Sequence, residues 1–456
     1  MPVYITILIT KTILRLSRAL GRGGGSALPG LVALKLNPNI GAKIAATIKS
    51  GSVIITGTNG KTTTSKMLVT AIQKEGYTIV ANRAGSNLAR GIVSTLIEHC
   101  DMNGRISEDV GVFEVDEAAM PEVCRMLQPK LITVLNLFRD QLDRYGELDS
   151  TATLIGQAIA ATDAAVLLNA DDPLVSGLKK MLKSQPVYYF GLSGVPVKKM
   201  AHDVTADSIN CPLCGRALKF SRIFFGHIGH YACSRGHFNR PKPEFVVSAI
   251  KLAGSHSKFK MSLAGDWGGD ASLNLPGVYN IYNAAAVFGL GYILGLEPPN
   301  MVHALKGVSA AFGRVESLVV DGKKIYLLLI KNPTGFNQII QTFLLGKKSQ
   351  PLLIAVNDKF ADGRDVSWLW DVAFEEFKPL NHSITASGIR ASDLALRLKY
   401  AGIGLQSTEP NLKKALNNFI GSLKPGQAGY IVPTYTAMLE LRKILGKKTD
   451  IKGIWE

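Results

Sequence analysis

Cysteine is scarce in this sequence, which has five in 456 residues. So few thiols do not form a disulfide framework, and they favour a reducing compartment, the cytoplasm. Long apolar runs are also missing. The most apolar segment, residues 4–22, carries Lys11, Arg15 and Arg18 at helical spacing and is too short and too charged to span a bilayer. It predicts a basic amphipathic helix, which could lie on the inner face of an anionic membrane or pack on its own domain.

Acidic residues are few relative to basic ones, because 35 Asp and Glu stand against 52 Lys and Arg, a formal net charge of +17. This excess favours a polyanionic partner: a nucleotide, a nucleic acid, an acidic membrane surface or a pyrophosphate-bearing substrate. Charge alone does not choose among them. The hydrophobic fraction of 46% is ample for buried cores, and the length predicts two or three domains.

The strongest motif is the run VIITGTNGKTTT at residues 53–64. A β-branched strand ends in a glycine turn, and a Lys-Thr pair then opens a helix, so the run predicts a phosphate loop. Lys61 would reach the β- and γ-phosphates and the Thr62 hydroxyl would bind Mg²⁺. Only two residues separate the glycines, where the usual pattern has four, and a tight turn is the alternative. The residues expected to hold the nucleotide are Gly57, Thr58, Asn59, Gly60, Lys61, Thr62 and Thr63.

Apolar strands then alternate with helical stretches, which predicts an α/β fold with a largely parallel sheet. Several of these strands end in polar residues, at the edge where open α/β sheets bind ligands. The second ends in carboxylates, and either Glu114 or Asp116 could ligate Mg²⁺ there. An acidic helix cap is the alternative.

Around residue 200 the sequence pattern changes and resembles that of a zinc ribbon. Two cysteines on a tight knuckle are followed by a second knuckle that holds only one cysteine, so a histidine should complete a closed, structural Zn²⁺ site. The expected ligands are Cys211, Cys214, Cys233 and His237. His237 is preferred to His230 and His227 because it lies just after the third cysteine. Unmetallated buried thiols are the alternative.

The chain then returns to the main fold. Asn283 lies in a predicted helix that opens with polar residues. Its side-chain amide could cap this helix or hydrogen-bond an adenine edge. Buried-type strands after residue 315 predict a second α/β domain. Its acidic loop at 357–371, which also holds two tryptophans, is typical of a functional edge or an interface, with a solvated loop as the alternative.

Five motifs together resemble the Mur ligase superfamily over nearly the whole chain. They are Gly57-Thr-Asn-Gly60-Lys61-Thr62-Thr63, Asp171-Asp172, Asn280 with Asn283, Gly313-Arg314-x-Glu316 and Asn332-Pro-x-Gly335. More narrowly, the ribbon and the Asp362-Gly-Arg-Asp365 loop resemble the MurT family. The resemblance implies ATP- and Mg²⁺-dependent amidation of the D-glutamate α-carboxylate of lipid II to D-isoglutamine, through an acyl phosphate, in peptidoglycan synthesis. A GatD-like class I glutaminase would be the partner that supplies ammonia.

The resemblance also implies roles for single residues. Thr62 and Glu114 would serve Mg²⁺, Asn283 the adenine, and Arg314 the nucleotide or the closing domain interface. Asp365 would be the acid of the partner's Cys-His-acid triad, with Asp362 in reserve; that acid orients the histidine. No lysine occurs between Lys130 and Lys179, where many Mur ligases carry a modified lysine near a second metal, so the number of magnesium ions stays open.

The expected domains are a helical segment at 1–45, an ATP-binding domain at 46–314 with the ribbon inserted at about 200–245, and a partner-contacting domain at 315–456. Two other enzyme classes use the same ATP machinery: Mur-type amino-acid ligases and folylpolyglutamate-type ligases. A non-enzyme alternative is a zinc-ribbon protein that binds nucleic acid. Under the preferred interpretation, nucleic acid is not a partner of this chain. The choice between lipid II and an earlier precursor stays open.

Overall fold

The computed structural model describes residues 1–19, 27–82, 85–139, 148–194, 207–253, 256–264, 267–308, 316–345, 349–424 and 426–449. Among these residues, no helix has the length and apolar character needed to cross a membrane. The chain forms two α/β units, each built on its own sheet, and a small hairpin projects from the first.

Within the described ranges, the first unit contains eleven strands. They are β1 (Ser52–Thr56), β2 (Ile79–Ala81), β3 (Val110–Glu114), β4 (Leu131–Val134), β5 (Ala165–Asn169), β6 (Val187–Leu192), β7 (Leu218–Phe225), β8 (Ile228–Cys233), β9 (Phe245–Leu252), β10 (Ser257–Leu263) and β11 (Trp267–Leu273). Nine form one sheet in the order β11-β10-β9-β6-β5-β4-β1-β3-β2. Strands β7 and β8 pair only with each other, as an antiparallel hairpin.

The nine-stranded sheet is parallel from β2 to β9 and antiparallel at its β9–β10 and β10–β11 edge. The α/β fold class predicted from the sequence is confirmed, and the sheet is mixed. Short connections join the last three strands, and such connections allow only antiparallel pairing. The parallel order brings the carboxyl ends of β1, β3, β4 and β5 to one edge, where a ligand is expected.

Helices cover both faces of this sheet. Their bounds are Val3–Ala19, Leu28–Leu36, Ile40–Ala45, Lys61–Lys74, Ala89–His99, Met120–Leu127, Leu148–Ala160, Pro173–Gly177, Val278–Ile293 and Pro298–Lys306. Strand β1 is buried throughout, with Val53 and Ile55 in the core on one face and Ile54 in the core on the other. Because side chains alternate along a strand, a β-branched run of this kind reads as a central strand.

The second unit holds strands β12 (Glu316–Val320), β13 (Lys323–Leu327), β14 (Pro351–Ala355), β15 (Ser383–Ser387), β16 (Ser407–Glu409) and β17 (Ala428–Pro433). Their order is β12-β13-β17-β14-β15-β16, and only the β12–β13 pair is antiparallel. Its helices are Pro333–Ile339, Ala391–Tyr400, Leu412–Ser422 and Tyr435–Leu445, with 3-10 turns at Ser367–Asp371 and Phe374–Leu380. The predicted carboxyl-terminal α/β domain is therefore present.

The two units meet next to the phosphate loop. The Asn332 side-chain amide donates to Asn59 Oδ1 at 3.2 Å, which links the start of helix Pro333–Ile339 to the loop after β1. Arg139, after β4, lies 3.7 Å from the Asp371 carboxylate of the second unit. These contacts bring residues of both sequence-predicted domains to the same edge of the nine-stranded sheet.

Candidate active site

The phosphate loop follows β1 and turns on two glycines in the left-handed region, Gly57 at φ 126° and Gly60 at φ 94°. A Cβ atom at Gly57 would lie 2.8 Å from the Asn136 carbonyl oxygen, and one at Gly60 would collide with the Asn283 side chain. Both positions therefore require glycine for conformation and for space.

Asn136, at the end of β4, holds this loop in place. Its side chain accepts from the Asn59 N–H and donates to the Asn59 carbonyl, both at 2.9 Å, while its backbone carbonyl accepts from the Thr58 N–H at 2.9 Å. The Thr58 hydroxyl exchanges two further bonds with the Phe138 backbone, at 3.0 and 3.2 Å. The loop is thus fixed by hydrogen bonds from the end of a neighbouring strand.

Helix Lys61–Lys74 begins at the loop with Gly60 as its N-cap, and no side chain caps it. The first N–H groups of a helix lack intrahelical acceptors, and the helix dipole adds positive potential, so an uncapped start suits an anion. Thr62 lies half-buried in this first turn and Thr63 is buried. The predicted nucleotide-holding residues therefore lie together, around a helix start suited to a phosphate.

Lys61 is buried, and its ammonium has two close partners. It donates to the Gly57 carbonyl at 2.5 Å and forms an ion pair with Glu117 Oε2 at 3.0 Å. Glu117 is buried as well. Burial would raise the pKa of its carboxyl, but the positive charges of Lys61 and Lys331 outweigh that and hold the pKa below its usual range. Because Lys331 belongs to the second unit, Glu117 faces cations from both units.

Glu117 is a site residue that the sequence analysis missed. The sequence predicts Mg²⁺ ligands at the end of β3, and among its acids it favours Glu114 and Asp116. In the structure, Asp116 caps the 3-10 turn Glu117–Ala119 by accepting from the Ala118 N–H at 3.2 Å. Asp116 therefore acts as a cap, which was the alternative to a Mg²⁺ ligand. The turn that Asp116 caps places Glu117 against Lys61.

Glu114 ends β3 and is buried. Its backbone is held by Asn82, which accepts from the Glu114 N–H and donates to the Glu114 carbonyl, both at 2.8 Å. Among the described residues, no hydrogen bond or ion pair is found for its carboxylate. A buried carboxylate at the edge of the phosphate loop, without a hydrogen bond or ion pair from the described part of the chain, fits a ligand of a hard cation such as Mg²⁺.

Asn283 lies in helix Val278–Ile293, buried against Gly60, and its amide donates to Asn280 Oδ1 at 3.3 Å. The residue suggested for adenine thus touches the phosphate loop. Arg314, suggested for the nucleotide or the domain interface, lies outside the described residues.

The four predicted zinc ligands converge. Cys214 Sγ is 3.8 Å from Cys233 Sγ, Cys211 Sγ is 3.8 Å from His237 Nε2, and all four ligand atoms lie within 4.8 Å of one another. A tetrahedral ion with Zn–S bonds of about 2.3 Å holds its sulfur ligands about 3.8 Å apart, so this donor set fits Zn²⁺.

Local geometry explains why these residues meet. The two knuckles turn through Gly215 at φ 69° and Gly236 at φ 75°, so each bends back within three residues of a cysteine. The other two histidines are engaged elsewhere. His230 Nε2 contacts the Leu192 carbonyl oxygen at 2.8 Å, and His227 is buried with Nε2 3.5 Å from an Asp172 carboxylate oxygen.

Two adjacent acids at the end of β5 attach the ribbon to the sheet. Asp171 pairs with Arg240 at 2.5 Å and accepts from the Tyr282 hydroxyl at 2.7 Å. Asp172 caps helix Pro173–Gly177 and accepts from the Leu137 N–H at 2.9 Å. Both motif aspartates therefore have structural partners.

Asp365 and Asp362 lie in different environments within the loop after β14. Asp365 is half-buried, and its carboxylate accepts from the Ser367 N–H at 2.8 Å and the Ser367 hydroxyl at 2.9 Å. Asp362 is buried and accepts from the Thr436 N–H at 2.7 Å and the Thr436 hydroxyl at 2.5 Å. Desolvation raises the pKa of Asp362 despite these bonds. Asp365 is therefore the more accessible of the two.

The loop ends on an aromatic surface. Trp370 is exposed and packs edge-to-face on exposed Tyr400, with ring centroids 5.4 Å apart. Arg397 stacks over Trp370, pairs with Glu375 at 2.8 Å, and donates to two carbonyls of the 367–372 segment. Exposed aromatic rings over a buried arginine are typical of a protein-binding surface.

The two cysteines outside the ribbon have no features of a nucleophile. Burial raises the pKa of Cys100 to about 11 and that of Cys124 to about 12. Reactive cysteines instead have a lowered pKa and partial exposure. A glutamine-hydrolysing thiolate is therefore not provided by either residue.

Comparison with known proteins agrees with this architecture. Residues 55–239 match the family described as Mur ligase middle domain, and residues 329–438 match MurT ligase C-terminal. Among solved structures, a pseudomurein peptide ligase type C from Methanothermus fervidus superposes with a TM-score of 0.69 at 19% identity, covering 89% of this chain and 80% of that chain. The MurF ligase from Thermotoga maritima in complex with ADP gives 0.66 at 13% identity, covering 91% and 84%. At these identities the likeness concerns the fold.

Sequence relatives are more specific. The chain is 34% identical over 438 residues to the lipid II isoglutaminyl synthase (glutamine-hydrolyzing) subunit MurT of Streptococcus pneumoniae, and the match covers 94% of each protein. The protein of that name from Staphylococcus aureus is 33% identical over 411 residues, covering 88% of each. Because this likeness extends over nearly the full length of both proteins, the chain belongs to the MurT family of Mur ligase-like proteins.

Proposed function

We propose that this chain is the ATP-using subunit of a two-subunit amidotransferase of peptidoglycan synthesis. It converts the α-carboxylate of D-glutamate in the stem peptide of lipid II into the amide of D-isoglutamine. Ammonia comes from a separate GatD-like glutaminase. The observation that carries the proposal is a phosphate loop held by hydrogen bonds in a chain that matches the MurT subunit of a glutamine-hydrolysing synthase over 94% of both lengths.

The loop residues would hold ATP in a defined place. The N–H groups at the start of helix Lys61–Lys74 would donate to phosphate oxygens, and Lys61 would exchange the Gly57 carbonyl for the β- and γ-phosphates. Thr62 and Glu114 would hold Mg²⁺, which supplies charge neutralisation on the transferred phosphoryl group. Asn283, beside Gly60, is proposed to contact the adenine, and Arg314 the nucleotide or the domain interface.

The substrate carboxylate would take the γ-phosphoryl group to give an acyl phosphate and ADP. Ammonia would then attack the acyl carbon and expel phosphate. Lys331 and Lys61 face this edge from the two units, so both cations would stabilise the negative charge that develops there. The buried Glu117 pairs with Lys61, and the charge of Lys331 also acts on its carboxylate.

The second unit is proposed to contact the partner. Asp365 would orient the catalytic histidine of the glutaminase, as the acid of a Cys-His-acid triad does. Its partial exposure supports this role, whereas Asp362 is occupied by Thr436. The nearby surface of Trp370 and Tyr400 would form part of the contact. The functional units would then be 46–314 for ATP and 315–456 for the partner.

The remaining elements have supporting roles. The ribbon would hold one structural Zn²⁺ through Cys211, Cys214, Cys233 and His237. Because lipid II is a membrane lipid, the chain would work in the cytoplasm at the inner face of the membrane. The helical segment 1–45 is the expected region of contact with that membrane.

The direct test is mass spectrometry of lipid II after incubation with ATP, Mg²⁺, glutamine and this chain, with and without the candidate glutaminase. We expect the mass change for replacement of OH by NH₂ only when both proteins are present. A mass gain equal to an added amino acid, with this chain alone, would instead identify an amino-acid ligase.

Replacing Lys61 with Ala should lower ATP-dependent amidation by about 10²–10³-fold with either glutamine or free ammonium, because a phosphoryl-stabilising charge is lost. Initial rates of ADP release with each nitrogen source are the measurement. Exposed Lys66→Ala, one turn along the same helix, serves as the control. Unchanged turnover in Lys61→Ala would remove the lysine from the site.

Glu117→Gln should destabilise the ligand-free protein by about 3 kcal/mol, because it leaves the Lys61 charge buried without its counter-ion. ATP phosphates can replace that counter-ion, so Mg²⁺-ATP should raise the unfolding midpoint of the variant more than that of the wild type. Differential scanning fluorimetry measures both, with exposed Glu122→Gln as the control. Equal ATP-induced rises would show that Glu117 does not neutralise Lys61.

Asp365→Asn should abolish glutamine-driven amidation and spare amidation driven by free ammonium, since only the glutaminase half-reaction needs the triad acid. Both rates are measured with the complete two-protein complex. Asp358→Asn, in the same loop but paired with Arg390, is the comparison variant. Equal loss of both activities in Asp365→Asn would argue against a triad role.

The purified chain should contain one Zn²⁺, measured by plasma emission spectrometry. Cys233→Ser should lose it and lower the melting temperature, because structural zinc stabilises the fold that binds it. Cys124→Ala removes a buried thiol outside the cluster and should keep the metal. A full zinc content in Cys233→Ser would contradict the ligand set.

A further inference from the structure

The outer face of the amino-terminal helix, Val3–Ala19, is apolar and exposed. We call this surface the outer face; its members at helical spacing are Met1, Tyr4, Ile5, Leu8, Thr12, Arg15 and Leu16. Tyr4 is 53% exposed, Leu8 48% and Leu16 58%. Exposed apolar side chains that continue along one side of a helix for several turns mark a binding surface.

The opposite face of this helix is firmly packed. Ile7 and Leu14 are buried, and Ile7 belongs to the core that also covers the sheet. The Lys11 ammonium donates to the Cys100 carbonyl, and the Asn37 amide donates to the Met1 carbonyl at 3.0 Å. The helix is therefore fixed on the domain by its inner face, and the outer face stays available to another surface.

The first 74 residues carry side-chain charge of one sign, and the acid that interacts with Lys11 on the inner side, Asp101, belongs to a later segment. Residues 1–74 contain no Asp or Glu, whereas Lys and Arg recur throughout them. Arg15 is exposed on the outer face itself, and exposed Lys35 lies in the neighbouring helix Leu28–Leu36, whose end contacts Met1. Apolar side chains bordered by cations, with no anion nearby in sequence, are complementary to a negatively charged apolar interface.

From this pattern we infer that the outer face docks the chain on an anionic phospholipid bilayer, with the helix lying in the plane of the interface. At 17 residues the helix is about 26 Å long, and its exposed leucines and Tyr4 would enter the acyl boundary while Arg15 and Lys35 contact phosphate groups. The chain would bind the membrane surface through the outer face, and no part of it would need to span the bilayer.

Self-association through the same face is disfavoured by its charge. A two-fold contact would bring the exposed cations of two copies together with no acidic residue of the segment to offset them. An anionic lipid surface supplies the missing charge, and each nearby Lys or Arg contributes about 1 kcal/mol to such binding. We therefore assign the outer face to an anionic lipid surface and not to a second copy of the chain.

This inference deepens the proposed function, since it assigns the surface by which the enzyme would reach a lipid-linked substrate. It does not depend on catalysis. A vesicle without lipid II tests the surface alone, so failure of the docking surface and failure of the amidation proposal give separate results.

The experiment is co-sedimentation of the full chain with vesicles of phosphatidylglycerol and phosphatidylcholine, and with vesicles of phosphatidylcholine alone. We expect binding to the anionic vesicles that weakens when NaCl is raised from about 0.1 M to about 1 M. Leu8→Asp should weaken binding about tenfold, because an apolar anchor is replaced by a repelled charge. Arg15→Glu should weaken it several-fold on anionic vesicles.

The matched control is Leu396→Asp. Leu396 is a helical leucine of nearly equal exposure, 50%, in helix Ala391–Tyr400 of the second unit, and its replacement should leave vesicle binding unchanged. Circular dichroism and melting temperature of each variant exclude unfolding as the cause of a loss.

Three outcomes would overturn the inference. One is no binding of the wild type to anionic vesicles, and another is equal binding of wild type and both outer-face variants. The third is concentration-dependent association in analytical ultracentrifugation that Leu8→Asp abolishes, without vesicle binding, which would assign the face to a second copy of the chain.

Discussion

The buried ion pair between Lys61 and Glu117 is the interaction on which the geometry of the site depends. Two charges taken out of water are costly unless each compensates the other, so the phosphate loop and the turn after β3 must meet closely. The positive charge of Lys331, in the second unit, also acts on Glu117 and helps to lower the pKa of its carboxyl. The Glu117 carboxylate thereby fixes the turn after β3 against the phosphate loop and holds the Lys61 ammonium in place.

A second set of charges joins the ribbon to the sheet. Asp171 binds Arg240, and Asp172 contacts both Leu137 and His227. Leu137 lies between residues that hold the phosphate loop, so the ribbon packs behind the loop without contributing ligands to it. These contacts fix the ribbon close to the edge of the parallel sheet where ligands bind.

Much of this arrangement was predictable from local sequence. The strand, glycine turn and Lys-Thr pair specify the phosphate loop, and cysteine spacing gathers Cys211, Cys214, Cys233 and His237. Glu117 was not predictable in the same way. Three acids lie within four residues, and which one meets Lys61 depends on where β3 stops and a 3-10 turn begins. The pairing of Arg240 with Asp171, far apart in the chain, leaves no periodic signal at all. Sequence patterns report neighbours along the chain, whereas these contacts are set by tertiary packing.

The position of the ribbon between β6 and β9 has a consequence for how the protein reaches its fold. These strands are adjacent in the sheet, yet the whole ribbon separates them in the chain, and closing so long a connection costs entropy. A ribbon that forms first brings the ends of that connection together, with His230 and Arg240 both contacting the Leu192 carbonyl at the end of β6. Changes that unfold the ribbon would then slow the closure of the central sheet, because the long connection between β6 and β9 would have to close unaided.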